Sequence, residues 1–111
     1  MGKRTAIAAI LLALFVAWLA LGFYRNHVRA TGFEQVAVGN TRALVVARLG
    51  APDHVGPGWS KAVAYENSPC AGACRERLWW ENALLPRGFE AWSVDLDRSG
   101  RVIHTEHWVS P

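Results

Sequence analysis

Nineteen consecutive residues without a charge, AIAAILLALFVAWLALGFY at positions 6–24, limit what this chain can fold into more than any other feature. Gly22 is the one helix-weakening residue among them. As an α-helix the run spans about 28 Å, close to the thickness of a bilayer's hydrocarbon core. Lys3 and Arg4 stand before it, as in a secretory signal. A cleaved signal peptide is the competing reading, but its apolar region runs to roughly 7 to 15 residues and is closely followed by a small-x-small site. The best such site here, Val28-Arg29-Ala30, ends six residues past the apolar run. The expectation is an uncleaved signal anchor, a transmembrane helix within residues 1–24. No cysteine directly follows the segment, which excludes lipid attachment at a lipobox.

The anchor changes the meaning of the composition. With 12 Lys+Arg against 9 Asp+Glu in 111 residues, the chain has a formal charge of +3 and reads at first as a small basic domain. Residues 1–29, however, hold Lys3, Arg4, Arg25 and Arg29 with no acidic residue, and without these four the balance is 8 basic to 9 acidic, net −1. A grip on nucleic acid needs a surplus of phosphate-neutralising cations, so nucleic acid is excluded as a partner. Around the span, Lys3 and Arg4 are nearly balanced by Arg25, His27 and Arg29, and the positive-inside rule decides little. The only two cysteines, Cys70 and Cys74, lie close together, as a disulfide in an oxidising compartment would. The expected placement is therefore single-pass in the inner membrane with the C-terminal domain in the periplasm.

Residues 25–32 read as a short polar linker and residues 33–111 as one small domain, about 80 residues that bury about 60% of their unfolded surface. Phe33, Val36 and Ala37 at i, i+3 and i+4 predict a short helix over 33–37. Thr41 is a good N-cap for a second helix over 42–49, with Leu44, Val45 and Leu49 as its apolar stripe. Gly50 suits its C-terminal cap and Pro52 prevents continuation. Strands are predicted over 59–66, where Trp59, Val63 and Tyr65 share a face, and over 77–82, 89–97 and 101–109. Residues 82–88, with Pro86 and Gly88, form a turn or irregular connection, and Asp97-Arg98-Ser99-Gly100 closes a hairpin. The fold class expected is α+β: after the transmembrane helix, two short helices packed on a three- to four-stranded antiparallel sheet.

The stretch Val38-Gly-Asn-Thr-Arg-Ala-Leu-Val-Val-Ala-Arg-Leu-Gly-Ala-Pro-Asp53 resembles the helix signature of the SmpA/OmlA (BamE-like) family of small bacterial envelope proteins, in which a Gly-x-Thr start leads to a Leu-Gly-x-Pro end. The hairpin Asp97-x-x-Gly-Arg-Val102 is similar to the last two strands of that family. The resemblance covers residues 33–111. It implies a BamE-like α+β domain and a binding role that supports envelope or outer-membrane protein assembly. The chain departs from the family's best-known member, an outer-membrane lipoprotein, by carrying a transmembrane anchor instead of a lipidated cysteine.

Cys70-Ala-Gly-Ala-Cys74 has three readings: a short-loop disulfide, a soft-metal site completed by His54, His104 or His107, and a thiol-redox pair. The first is preferred, and the alternative function it leaves is a copper-binding or thiol-redox factor of the envelope. Residues 95–106 place Asp95, Asp97, Ser99, Gly100 and Glu106 as a twelve-residue calcium loop requires, but the period-two alternation of Trp92, Val94 and Leu96 favours a hairpin. His104 and Glu106 share one face of a strand while His107 takes the other, so no zinc site forms there. No nucleophile elbow, phosphate loop or dinucleotide fingerprint occurs, and the reading calls for no cofactor and no catalysis.

Trp59, Trp79, Trp80, Trp92 and Trp108 crowd into the domain. Adjacent Trp79 and Trp80 face opposite sides of a strand; one joins the core beneath the helices, and the other is either covered by residues 82–88 or offers a docking site to a protein or to lipid head groups.

Overall fold

The computed structural model describes residues 2–55, 70, 72–86 and 88–109. It begins with one long helix, α1 (Lys3–Glu34), which is long and apolar enough to cross a membrane. Ile10, Leu11, Leu12 and Ala13 follow one another at about 100° steps around its axis and are all exposed, the first three at 60%, 61% and 63%. A helix apolar on every side serves no core of its own and suits a hydrocarbon surround.

The predicted linker and the predicted helix over 33–37 are corrected together, because α1 runs without a break through residues 25–32 and ends at Glu34. No proline or turn cluster interrupts it, and its second half carries one stripe toward the domain. Gly22 and Gly32 are buried, Asn26, Arg29 and Ala30 are half-buried between them, and Phe33 completes the line. Gly32 lets α1 approach α2 (Arg42–Leu49) closely, since a Cβ there would stand 2.6 Å from the Arg48 carbonyl oxygen. The obstacle is backbone and cannot rotate away. Gly32→Ala is expected to cost about 1–3 kcal/mol as an overpacked contact, read as a lower melting temperature, with Gly22→Ala costing less because its neighbour is the Leu84 side chain.

Helix α2 forms where its punctuation predicts. The Thr41 hydroxyl accepts from the Leu44 N–H at 3.3 Å, and Gly50, at φ 89°, donates its N–H to the Val46 carbonyl. Val45 and Leu49 are buried, whereas Leu44 lies 38% exposed. Among the described residues four antiparallel strands follow, in the order β1 (His54–Val55), β2 (Glu76–Glu81), β3 (Glu90–Leu96) and β4 (Val102–Val109). The last three match the sequence reading within about a residue of each end; β1 was not foreseen, and the strand expected over 59–66 lies outside the described residues. Leu78 and Trp80 of β2, Trp92, Val94 and Leu96 of β3, and Val102 of β4 form the core with Val45 and Leu49, against Ala30 and Phe33 of α1. A register shift at Asp95/Leu96 brings Val102 onto this face.

The β3–β4 turn is stitched to the start of α2. Gly39 donates to the Val102 carbonyl, Val102 to the Asn40 carbonyl and Arg42 to the Gly100 carbonyl. Within the turn, Asp97 accepts from the Ser99 hydroxyl at 2.6 Å and from the N–H groups of Ser99 and Arg101. The Ser99 hydroxyl first, and then the Arg101 N–H, hold this carboxyl below the ordinary aspartate range. Folding favours the charged form, so the stabilisation is present above the ordinary aspartate pKa and is lost as pH falls through the lower folded-state value. Below about pH 4, the melting temperature of Asp97→Asn is expected to fall less steeply than that of the wild type.

Candidate functional site

The site that the fold builds lies where α1 leaves its apolar stretch and meets the sheet. Arg29, 11% exposed, forms an ion pair with Asp53 at 3.1 Å and also donates to the Glu81 carbonyl. Asp53 in turn accepts from the Glu81 N–H at 2.8 Å, and the Glu81 carboxylate pairs with His54 Nε2 at 3.2 Å. One turn earlier, Asn26 donates through Nδ2 to the Asn82 side chain at 2.9 Å and accepts from the Ala83 N–H at 2.7 Å. Leu84 packs on Gly22. Two clefts flank Arg29: one of about 390 Å³ shared with Arg25, Pro52 and Asp53, and one of about 320 Å³ shared with His54, Glu81 and Asn82. Arg29 is matched to Asp53 and His54 to Glu81, and the arrangement fixes the angle and height of the domain on α1.

Trp79 and Trp80, expected to supply a partner-binding surface, are both buried, at 1% and 0% exposure. Trp80 lies in the core beneath α2, its Nε1 donating to the Gly50 carbonyl at 3.0 Å. Trp79 occupies the other sheet face, which is not open. Trp108 leans against it with ring centroids 5.8 Å apart, and the Arg77 guanidinium lies 5.4 Å from its ring centre. Arg77 itself makes a two-point ion pair with Asp95, at 2.5 and 2.9 Å, and Trp108 Nε1 donates to the Ser93 hydroxyl at 2.9 Å. Paired across strands, these polar groups satisfy one another, which lets Arg77, Ser93 and Asp95 lie buried beside Trp79. Residues 82–86 pack toward α1 instead.

Cys70 and Cys74 sit at disulfide distance, with Cα atoms 5.2 Å apart. The histidines considered as metal ligands are placed separately: His54 on Glu81, His104 beside Glu106 at 3.3 Å, and His107 on the opposite face, stacked on Trp92 at 5.4 Å and bonded to Glu90. Among the described residues no three His, Cys, Asp or Glu side chains gather as a metal site requires. Asp95 and Asp97 belong to the hairpin, one bound to Arg77 and the other within the turn.

Sequence reasoning missed Asn26, Arg29, Asp53, Asn82 and Leu84. A signal for the first two was present: positions 22, 26, 29, 30 and 33 follow helical spacing and continue one stripe through the supposed linker.

Together these features define a class: an α+β domain in which the described residues form a short helix and four antiparallel strands of one sheet, mounted on the end of a helix able to span a bilayer. No protein-family model, curated protein or solved structure matches the chain.

Proposed function

We propose that this protein is a single-pass binding module of the cell envelope, anchored in the inner membrane with a BamE-like domain in the periplasm, and that it acts by holding a partner and not by catalysis. The observation that carries the reading is the continuity of α1, whose apolar half stands bare while its polar half is bound into the domain by Asn26 and Arg29. A domain tethered so firmly is positioned to meet something at a fixed distance from the bilayer. The cysteine pair at disulfide distance supports an oxidising compartment. The two motifs that carry the family resemblance are hydrogen-bonded to each other through Gly39, Asn40, Arg42, Gly100 and Val102, which favours a shared role for them in the fold.

Topology is the direct test. Alkaline phosphatase fused after Pro111 is expected to be active and a cytoplasmic reporter at the same point silent; the reverse result would sink the periplasmic assignment. Replacing both Cys70 and Cys74 with Ser is expected to cost about 2 kcal/mol, the loop-entropy value for so short a ring, and to leave metal content unchanged. Stoichiometric copper in the wild type, lost in that variant, would instead establish the copper-binding alternative.

A further inference from the structure

We infer that the β2–β3 connection, through its described residues 82–86, 88 and 89, is a second membrane contact that dips into the interfacial layer of the bilayer beside α1. The inference rests on the reading of α1 as the membrane span. If residues 6–24 fill the hydrocarbon core symmetrically about Phe15, Gly22 lies about 10 Å from the midplane, inside a half-thickness of about 15 Å, and Asn26 lies just outside it. Leu84 packs on Gly22, and the Ala83 N–H is bonded to Asn26. The tip of the connection therefore stands at the level where acyl chains meet head groups.

Its chemistry suits that level. Leu85 and Phe89 are 49% and 53% exposed, and at the same end of the apolar run Phe23 and Tyr24 of α1 are each 65% exposed. Arg87, the one charged residue among positions 83–89, is a cation, the sign that anionic head groups favour. The backbone is also prepared for a place poor in water. The N–H groups of Ala83, Leu84 and Leu85 are taken by the side-chain oxygens of Asn26 and Asn82, at 2.7, 2.9 and 3.0 Å. Pro86, the next residue, has no N–H, and Phe89 donates to the Pro86 carbonyl at 3.3 Å. A connection with its donors turned inward and its apolar side chains turned outward can enter the interface without leaving those backbone groups unpaired. The occupant of this patch is lipid. A loop waiting for a protein would need neither this height nor this internal satisfaction of its N–H groups.

The test uses the full chain, reconstituted in vesicles of phosphatidylethanolamine and phosphatidylglycerol, with an environment-sensitive fluorophore on Leu85→Cys, on Phe89→Cys or, as control, on Arg98→Cys in the turn at the other end of β3. All three side chains are exposed, so the fold does not depend on them. The expected result is flotation with the vesicles, blue-shifted emission at positions 85 and 89, and quenching by shallow spin-labelled lipid several-fold stronger there than at position 98. Flotation with all three probes quenched only by aqueous iodide overturns the inference and leaves the anchor standing. Protection of positions 85 and 89 from both lipid and aqueous quenchers overturns it in favour of a second copy or another protein. Failure to float overturns the reading of α1 as a span.

Discussion

Replacing Arg77 with Met is expected to lower the stability of the domain by about 3–5 kcal/mol, the cost of leaving a buried carboxylate without its counter-charge. The Arg77 and Asp95 side chains are 2% and 6% exposed, and the pair lies across β2 and β3 with two parallel N–H to oxygen bonds. Removing one partner strands the other away from water. Asp95→Leu is expected to cost a similar amount by removing the carboxylate that pairs, within the domain, with the guanidinium facing Trp79. The double variant, Arg77→Met with Asp95→Leu, should recover most of the loss, because two apolar side chains of similar volume desolvate at no electrostatic cost. Chemical denaturation of the four proteins measures the coupling directly. Additive losses would show that the pair contributes by packing alone. For a domain this small, with a net stability of about 5–15 kcal/mol at most, either single substitution should leave little margin at physiological temperature.

Trp80→Ala is the second large effect, expected at about 3–5 kcal/mol from lost burial and the cavity it leaves. Trp80 is fully buried between the sheet and α2, and its Nε1 bond to the Gly50 carbonyl ties the end of that helix to β2. Trp80→Phe separates the two contributions. It keeps most of the ring packing and removes the bond, so a loss of about 1 kcal/mol or somewhat more is expected, read from the denaturant midpoint at unchanged slope. If Trp80→Phe were as costly as Trp80→Ala, the bond and not the packing would dominate. Were Trp80 instead part of a docking surface, Trp80→Ala would weaken association while leaving the melting temperature unchanged.

What was readable in the sequence was local. The apolar run of residues 6–24, the Thr41 cap with Gly50 closing α2, and the Asp97-to-Gly100 turn each depend on residues within about one or two helical turns of each other, so their spacing alone specifies them. Residues 25–32 are polar but helical, so polarity there does not mark a linker. Asn26 and Arg29 are polar yet half-buried, and their partners lie 56 and 24 residues away, at Asn82 and Asp53. The expectation that one of Trp79 and Trp80 is either covered by residues 82–88 or open for docking met a related limit. Alternation says which face of a strand a residue takes, but not whether that face is covered, and here Trp79 is buried, with Trp108 and Arg77 packed against it.

By itself, then, the sequence determined an apolar membrane-length helix, a near-neutral α+β domain and the local punctuation of its elements, because hydrophobic periodicity, caps and turns are near-neighbour properties. Only the tertiary structure decided that α1 runs unbroken into the domain, that Arg77 and Asp95 meet in its interior, and that Leu84 rests on Gly22 at the edge of the apolar span. Those outcomes turn on which distant side chains satisfy one another once water is excluded, and no spacing along the chain encodes such a match.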